Sequence, residues 1–195
     1  MLYNQNERQP PKPEGIDDKI IKGAYRLSES KSDNRPNVRI LGSGPILSHV
    51  IEASEKLVEL GINSEIWSVT SYGELRREGL ESQRINRLYP EEEKIPYVSE
   101  CFGDEITTVA VSDYITAVPE MIQRWVGGKF IVLGTDGFGR SDDRLELRRF
   151  FEIDTNSIVL ATISALEREG SVKKGLTEEI VEKCGISRER FDKTH

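Results

Sequence analysis

Cysteine and histidine are close to absent. Cys101, Cys184, His49 and His195 are the whole complement, and the two thiols stand too far apart, without paired imidazoles, to read as a zinc site or a disulfide framework. Both are expected to be reduced packing residues. Long apolar runs are missing as well. The longest nearly apolar stretch, Ile158 to Leu166, includes Thr162 and Ser164 and is under half of the ~20 residues that a membrane-spanning helix needs. The residues after Met1, Leu-Tyr-Asn-Gln-Asn-Glu-Arg, have none of the basic, apolar and small-residue succession of a secretory signal. A cytoplasmic protein with no membrane partner is expected. Positive charge is in deficit: 27 Lys and Arg against 34 Asp and Glu leave a net charge of −7, so the molecule as a whole repels nucleic-acid phosphates and anionic lipid heads. No nucleic-acid partner is expected.

Catalytic bases are equally scarce. Nucleophilic catalysis requires one, yet His49 falls inside an amphipathic helical pattern, where a packed or surface role is the simpler reading, and His195 ends the chain. Trp67 and Trp125 read as core or interface anchors before cofactor stackers. No catalytic residue and no metal ligand is assigned.

What is there is enough for one sizeable core, since a chain of this length hides roughly 70% of its unfolded surface. Hydrophobic residues at 36% and charged ones at 31% are polar for a globule and too apolar for a wholly disordered chain, so some segment should lie outside the core. Residues 1–15, with Pro10, Pro11 and Pro13 among polar neighbours, favour extended, hydrated backbone and read as a linker or arm. Residues 16–195 read as one domain.

Within it, Ile16, Ile20, Ala24 and Leu27 repeat at helical spacing behind Asp17 and Asp18, which predicts a short helix. Val38 to Leu41 predicts a strand, Gly42 to Pro45 a tight turn, and Ile46 to Leu60 a helix stopped at Gly61. Ile62 to Val69 is the next strand, and the intervening helix is long enough for a crossover to a parallel neighbour. Ser71 and Glu74 form a capping pattern that opens a helix to about Glu78, with a second short helix over Glu81 to Leu88. Thr107 to Ser112 and Phe130 to Gly134 predict two more strands around a helical segment interrupted or restarted by Pro119. After a loop from Asp136 to Asp142 come a helix through Leu145, Leu147 and Phe150, another capped by Asp154 and running to Gly170, and a last one opened by Thr177 and ending at Gly185. The sum is an α/β fold, a three-layer αβα sandwich with a mostly parallel, mixed sheet.

Two segments carry ligand chemistry. A glycine turn between strand and helix, Gly42-Ser43-Gly44-Pro45, exposes backbone N–H groups to an anion. It misses the dinucleotide fingerprint, because the third glycine would fall at Leu47. A structural turn is the first reading, and phosphate or carboxylate binding the alternative. The second segment, Gly134-Thr135-Asp136-Gly137-Phe138-Gly139-Arg140-Ser141-Asp142-Asp143, sits at the carboxyl end of a predicted strand, where open α/β sheets place their crevices. Asp136, Arg140 and Asp142 can meet a partner, orient a ligand or satisfy one another, and Ser141 can cap the next helix. Asp113, after the Ala110-Val111-Ser112 strand, can point into the crevice or cap a helix.

Taken in order, Pro13-Glu14-Gly15, Ile20-Ile21-Lys22-Gly23-Ala24-Tyr25, Leu41-Gly42-Ser43-Gly44, Trp67-Ser68-Val69-Thr70-Ser71, Leu133 to Asp142 and Phe151-Glu152-Ile153-Asp154 resemble the carboxyl-terminal domain of the homodimeric bacterial pyruvate dehydrogenase decarboxylating component, within the transketolase-like group. The resemblance runs over nearly the whole chain. It implies a transketolase-type C-terminal domain and a longer subunit whose two preceding domains bind thiamine diphosphate and magnesium. That subunit would decarboxylate pyruvate and reductively acetylate a lipoyl group of the dihydrolipoyl acyltransferase component. In such enzymes a Gly-Asp-Gly motif holds the metal, and this sequence has none. The resemblance therefore implies that this segment binds neither cofactor, is inactive alone, and packs against the preceding domains and a second subunit. It makes 1–15 the linker from a preceding domain, Asp136 to Asp142 the loop facing the rest of the enzyme, and Gly42, Ser43 and Gly44 the neighbouring turn. The alternative function is a regulatory module that binds a small molecule, nucleotide or anion at Gly42 to Gly44.

Overall fold

The structure is a computed structural model that describes residues 10–30 and 33–189; most of the expected arm (1–9) and His195 lie outside them. Side chains alternate between the two faces of a strand, and here both faces are apolar. In β2 (Asn37–Gly42), Val38 and Ile40 enter one core and Leu41 the other; in β4 (Thr108–Val111), Val109 and Val111 oppose Ala110; in β5 (Phe130–Leu133), Ile131 and Leu133 oppose Phe130 and Val132. Every residue of β3 (Asn63–Val69) is buried, as befits an inner strand covered on both sides. With β1 (Ala24–Ser28) the sheet runs β1-β3-β2-β4-β5. Only β1 is antiparallel; the β2–β3, β2–β4 and β4–β5 pairs are parallel. This is the mixed, mostly parallel sheet of an αβα sandwich.

The first core lies under α2 (Leu47–Glu59), α7 (Thr155–Glu169) and α8 (Leu176–Cys184), which contribute Leu47, Val50, Leu57, Ile158, Ile163, Leu166 and Ile180. The second lies under α3 (Tyr72–Leu88) and α4 (Tyr97–Phe102), with Leu75, Val98, Phe102 and Trp125. The Asp154 cap is present, its side chain accepting from the Ser157 N–H, and Ser71 caps α3 by accepting from the Glu74 N–H.

Several expectations are corrected. The first helix is only α1 (Asp17–Lys22). Gly23, at φ 106°, turns the chain, so Ala24 and Leu27 belong to strand β1. A Cβ at Gly23 would lie 2.6 Å from the Ser71 carbonyl oxygen, and the Gly23 carbonyl itself accepts from the Thr70 and Ser71 N–H groups. This tertiary docking overrides the helical spacing. The two short helices expected over 72–88 are one, α3, because nothing in Glu78 to Glu81 removes a backbone donor. Helix α4 carries no capping side chain and was not expected. Pro119 sits inside a single turn, α5 (Ala117–Glu120), which a 3-10 turn at Gln123–Trp125 follows. Helix α6 (Arg144–Phe150) is capped by Asp143, whose carboxylate accepts from the Glu146 N–H, not by Ser141. The last helix begins at Leu176; Thr177 is inside it, held by the Glu167 carboxylate.

Candidate functional site

The carboxyl ends of the parallel strands carry both predicted segments. Strand β2 ends at Gly42, where a Cβ would come 3.0 Å from Leu47 Cδ1 and 3.1 Å from Val50 Cγ2. Close strand–helix packing therefore rests on Gly42, with leucine filling position 47. Ser43 is extended and buried, Gly44 takes φ 54°, and Pro45 opens the 3-10 turn Gly44–Ile46 that leads into α2. Beside this turn, the β3–α3 connection brings Thr70, Ser71, Tyr72 and Gly73 to the same cavity of about 510 Å³. The cavity also reaches Tyr25 of β1 and Tyr114 beyond β4.

The second segment contributes no residue to its lining. Asp136 accepts from the Thr116 N–H at 3.0 Å and from its hydroxyl at 2.8 Å, which ties the end of β5 to the β4–α5 connection. Gly137 has φ 100°, Phe138 is 72% exposed, and Gly139 has open space around it. The Arg140 guanidinium lies 4.3 Å from the Phe150 ring centroid. Asp142 accepts from the Asp143 N–H, and Ser141 is exposed. Thus Asp136 serves the scaffold while Phe138 faces outward. Asp113 is no helix cap, since α5 begins at Ala117; its carbonyl accepts from the Thr135 hydroxyl. Burial pushes its carboxyl's pKa above the ordinary aspartate value, against the opposing Arg148 charge. Ser43 and Gly44 thus line one cavity, Gly42 packs behind them against Leu47 and Val50, and no residue from Asp136 to Asp142 is in that lining. A second cavity of about 630 Å³, lined by Arg140, Asp142, Glu146, Arg149, Phe150 and Cys184 among others, lies between α6 and the end of α8. The exposed apolar residues Ile115, Phe138 and Leu145 fall on the β4–α5 connection, the 136–142 loop and the start of α6.

The cysteines and His49 pack. Burial raises the Cys101 thiol's pKa, the opposite of what activates a thiolate. His49 Nε2 meets the Arg148 guanidinium at 2.5 Å and Nδ1 meets Thr155 Oγ1 at 2.9 Å, while that hydroxyl donates to Glu52. The arginine is a donor only, so Nε2 accepts and the Nδ1–H donates. This neutral imidazole joins α2, α6 and α7. A further charged group is not among the expected residues: Arg39, 2% exposed, pairs with Glu65 and, at 2.7 Å, with Asp104, beneath the Phe102 ring. Only an unusual charge inside an apolar strand pattern marks it.

Magnesium-bound thiamine diphosphate does not fit the described residues. They contain no group of three or more His, Cys, Asp or Glu that can hold a metal ion, and the cavity beside Gly44 has no carboxylate in its lining. Among them, no helix is long and apolar enough to cross a membrane.

The family profile of the transketolase-like TK C-terminal domain matches residues 23–154. The chain is similar to the pyruvate dehydrogenase E1 component of Pseudomonas aeruginosa, 44% identical over 193 residues that cover 97% of this chain and 22% of the relative. It is similar to that of Escherichia coli as well, 38% identical, covering 97% of this chain and 21% of the relative. The chain therefore spans about a fifth of the length of these relatives. Among solved structures, transketolase from Leishmania mexicana superposes with a TM-score of 0.53 at 17% identity, covering 77% of this chain and 19% of that one. That likeness speaks for the fold alone.

Proposed function

Because the chain belongs to the family of transketolase-like TK C-terminal domains, we propose that it is the carboxyl-terminal assembly and dimerisation domain of a pyruvate dehydrogenase E1 subunit. The observation that carries this reading is the pair of coverages: nearly all of this chain matches, and about four fifths of each relative lies elsewhere. In this reading thiamine diphosphate and magnesium, the decarboxylation of pyruvate and the reductive acetylation of a lipoyl group on the dihydrolipoyl acyltransferase component belong to that remaining length and its partners. The segment supplies shape. Its loop from Asp136 to Asp142 supports such a role, because Asp136 anchors the base while Phe138 is held out to solvent; large exposed apolar groups mark contact surfaces when they gather.

The test is an assay of pyruvate-dependent dye reduction with added thiamine diphosphate and magnesium. The 195-residue chain alone is expected to show no turnover, and the full-length subunit to be active. Robust turnover by the chain alone overturns the reading. Full-length subunit carrying Phe138→Asp is expected to dissociate more readily in analytical ultracentrifugation, and an unchanged dimer would remove this loop from the interface.

A further inference from the structure

We propose that the cavity between α6 and the end of α8 is the seat of residues 190–195 of this same chain, which dock there as a strap joining the two helices. The lining fits that occupant. Phe150 and Ile186, both half-buried, give it an apolar floor, and five carboxylates, Glu146, Glu152 and Glu189 among them, stand against two guanidiniums. One of those guanidiniums, Arg149, pairs with Glu146 at 2.7 Å, so the rim is acidic in sum. An acidic rim around an apolar floor selects a segment that is basic and carries a large apolar side chain.

The six residues after Glu189 have that chemistry. Arg190-Phe191-Asp192-Lys193-Thr194-His195 sets an arginine and a lysine against a single carboxylate, and Phe191 is its one aromatic. The backbone that leads to them is fixed along the cavity wall. Gly185, at φ 60°, ends α8 in a left-handed turn closed by the Ile186 N–H, which donates to the Val181 carbonyl. The Ser187 hydroxyl accepts from the Glu189 N–H, and Arg188 pairs with Glu178 of α8. Ile186, Ser187 and Glu189 thereby line the cavity, and Phe191 follows within about 7 Å of chain. A segment tethered so closely has an effective concentration on the order of millimolar, which puts a free partner of the same chemistry at a disadvantage. Once seated, the strap clamps α6 to α8 and backs the 136–142 loop through Arg140 and Asp142, which line the same cavity. It is a property of this chain, independent of assembly into a longer subunit.

The experiment is NMR on the isotope-labelled 195-residue chain and on the same chain without residues 190–195. Nuclear Overhauser contacts from the Phe191 ring to Phe150 and Ile186 are expected. The truncated chain should exchange the hydrogen-bonded amides of Phe151, Ile153 and Ile186 severalfold faster, because α6 and the end of α8 open more often without their clamp. Arg190→Glu with Lys193→Glu keeps Phe191 and reverses the charge around it, and should lose most of the ring contacts, with circular dichroism checking that each variant folds. A Phe191 ring that touches neither Phe150 nor Ile186 overturns the proposal, and so does exchange that truncation leaves unchanged. In a mixture of labelled and unlabelled chains, ring contacts found only between chains would assign the cavity to a second copy and overturn it as well.

Discussion

Arg39 shows how much a single buried charge constrains its neighbours. It is 2% exposed and is held by Glu65, itself buried, which also accepts from Trp67 Nε1 at 3.1 Å. Removing one member of such a pair strands the other in low dielectric, at about 3–5 kcal/mol, whereas replacing both by apolar groups is far cheaper. Glu65→Ala leaves Arg39 only the half-exposed Asp104 as counter-charge, and is therefore expected to lose more stability in urea unfolding than Arg39→Met with Glu65→Leu, although both lose the Trp67 acceptor. Glu167 gives a pH signature. Hydrogen bonds from the Thr177 hydroxyl and from the Gly175 and Thr177 N–H groups lower its pKa from 4.5 to about 2. A carboxylate with a depressed folded pKa stabilises fully above its unfolded value and loses that contribution as pH falls through the folded one. Glu167→Gln should thus lower the Tm at pH 7, with the gap to the wild type closing between pH 4.5 and about 2. A gap that persists at the acid end would contradict the linkage.

At the scale of elements, Gly79 decides between two opposed effects. A mid-helix glycine costs roughly 1 kcal/mol against alanine, so Gly79→Ala in an exposed helix would stabilise. Here a Cβ would lie 2.8 Å from Cε2 and Cζ2 of Trp125, a ring only 7% exposed. Overpacking of a closed core costs about 1–3 kcal/mol, so Gly79→Ala is expected to lower the Tm despite its better helical propensity. Glycine at this position lets α3 settle on the 3-10 turn that carries Trp125. The same contrast explains which elements were legible. Asp154 and Ser71 announce α7 and α3 because a cap acts within one turn, and the buried strands announce themselves by β-branched runs. Ala24 and Leu27 continue the helical spacing of Ile16 and Ile20, and only the sheet edge offered by β3 makes them a strand.

For the whole molecule, two cores on the two faces of one sheet make a body that can hold its own shape, while Ile115, Phe138 and Leu145 remain 52%, 72% and 59% exposed. In the isolated chain such groups should promote self-association. Light scattering over a concentration series is expected to show an average mass that rises with concentration, and Phe138→Asp with Leu145→Glu should flatten the rise. By itself the amino-acid sequence determined the layer order, the parallel character of the sheet, the turn at Gly42 to Gly44 and the likeness to one enzyme family, since periodicity, capping and motif are local and survive as text. Only the tertiary structure decided that Ser43 and Tyr72 meet at one cavity, that Asp136 is spent on Thr116 and that Arg39 is neutralised by Glu65 and Asp104. Burial and pairing of polar groups depend on what distant segments bring to the same point, and chain order carries no record of that.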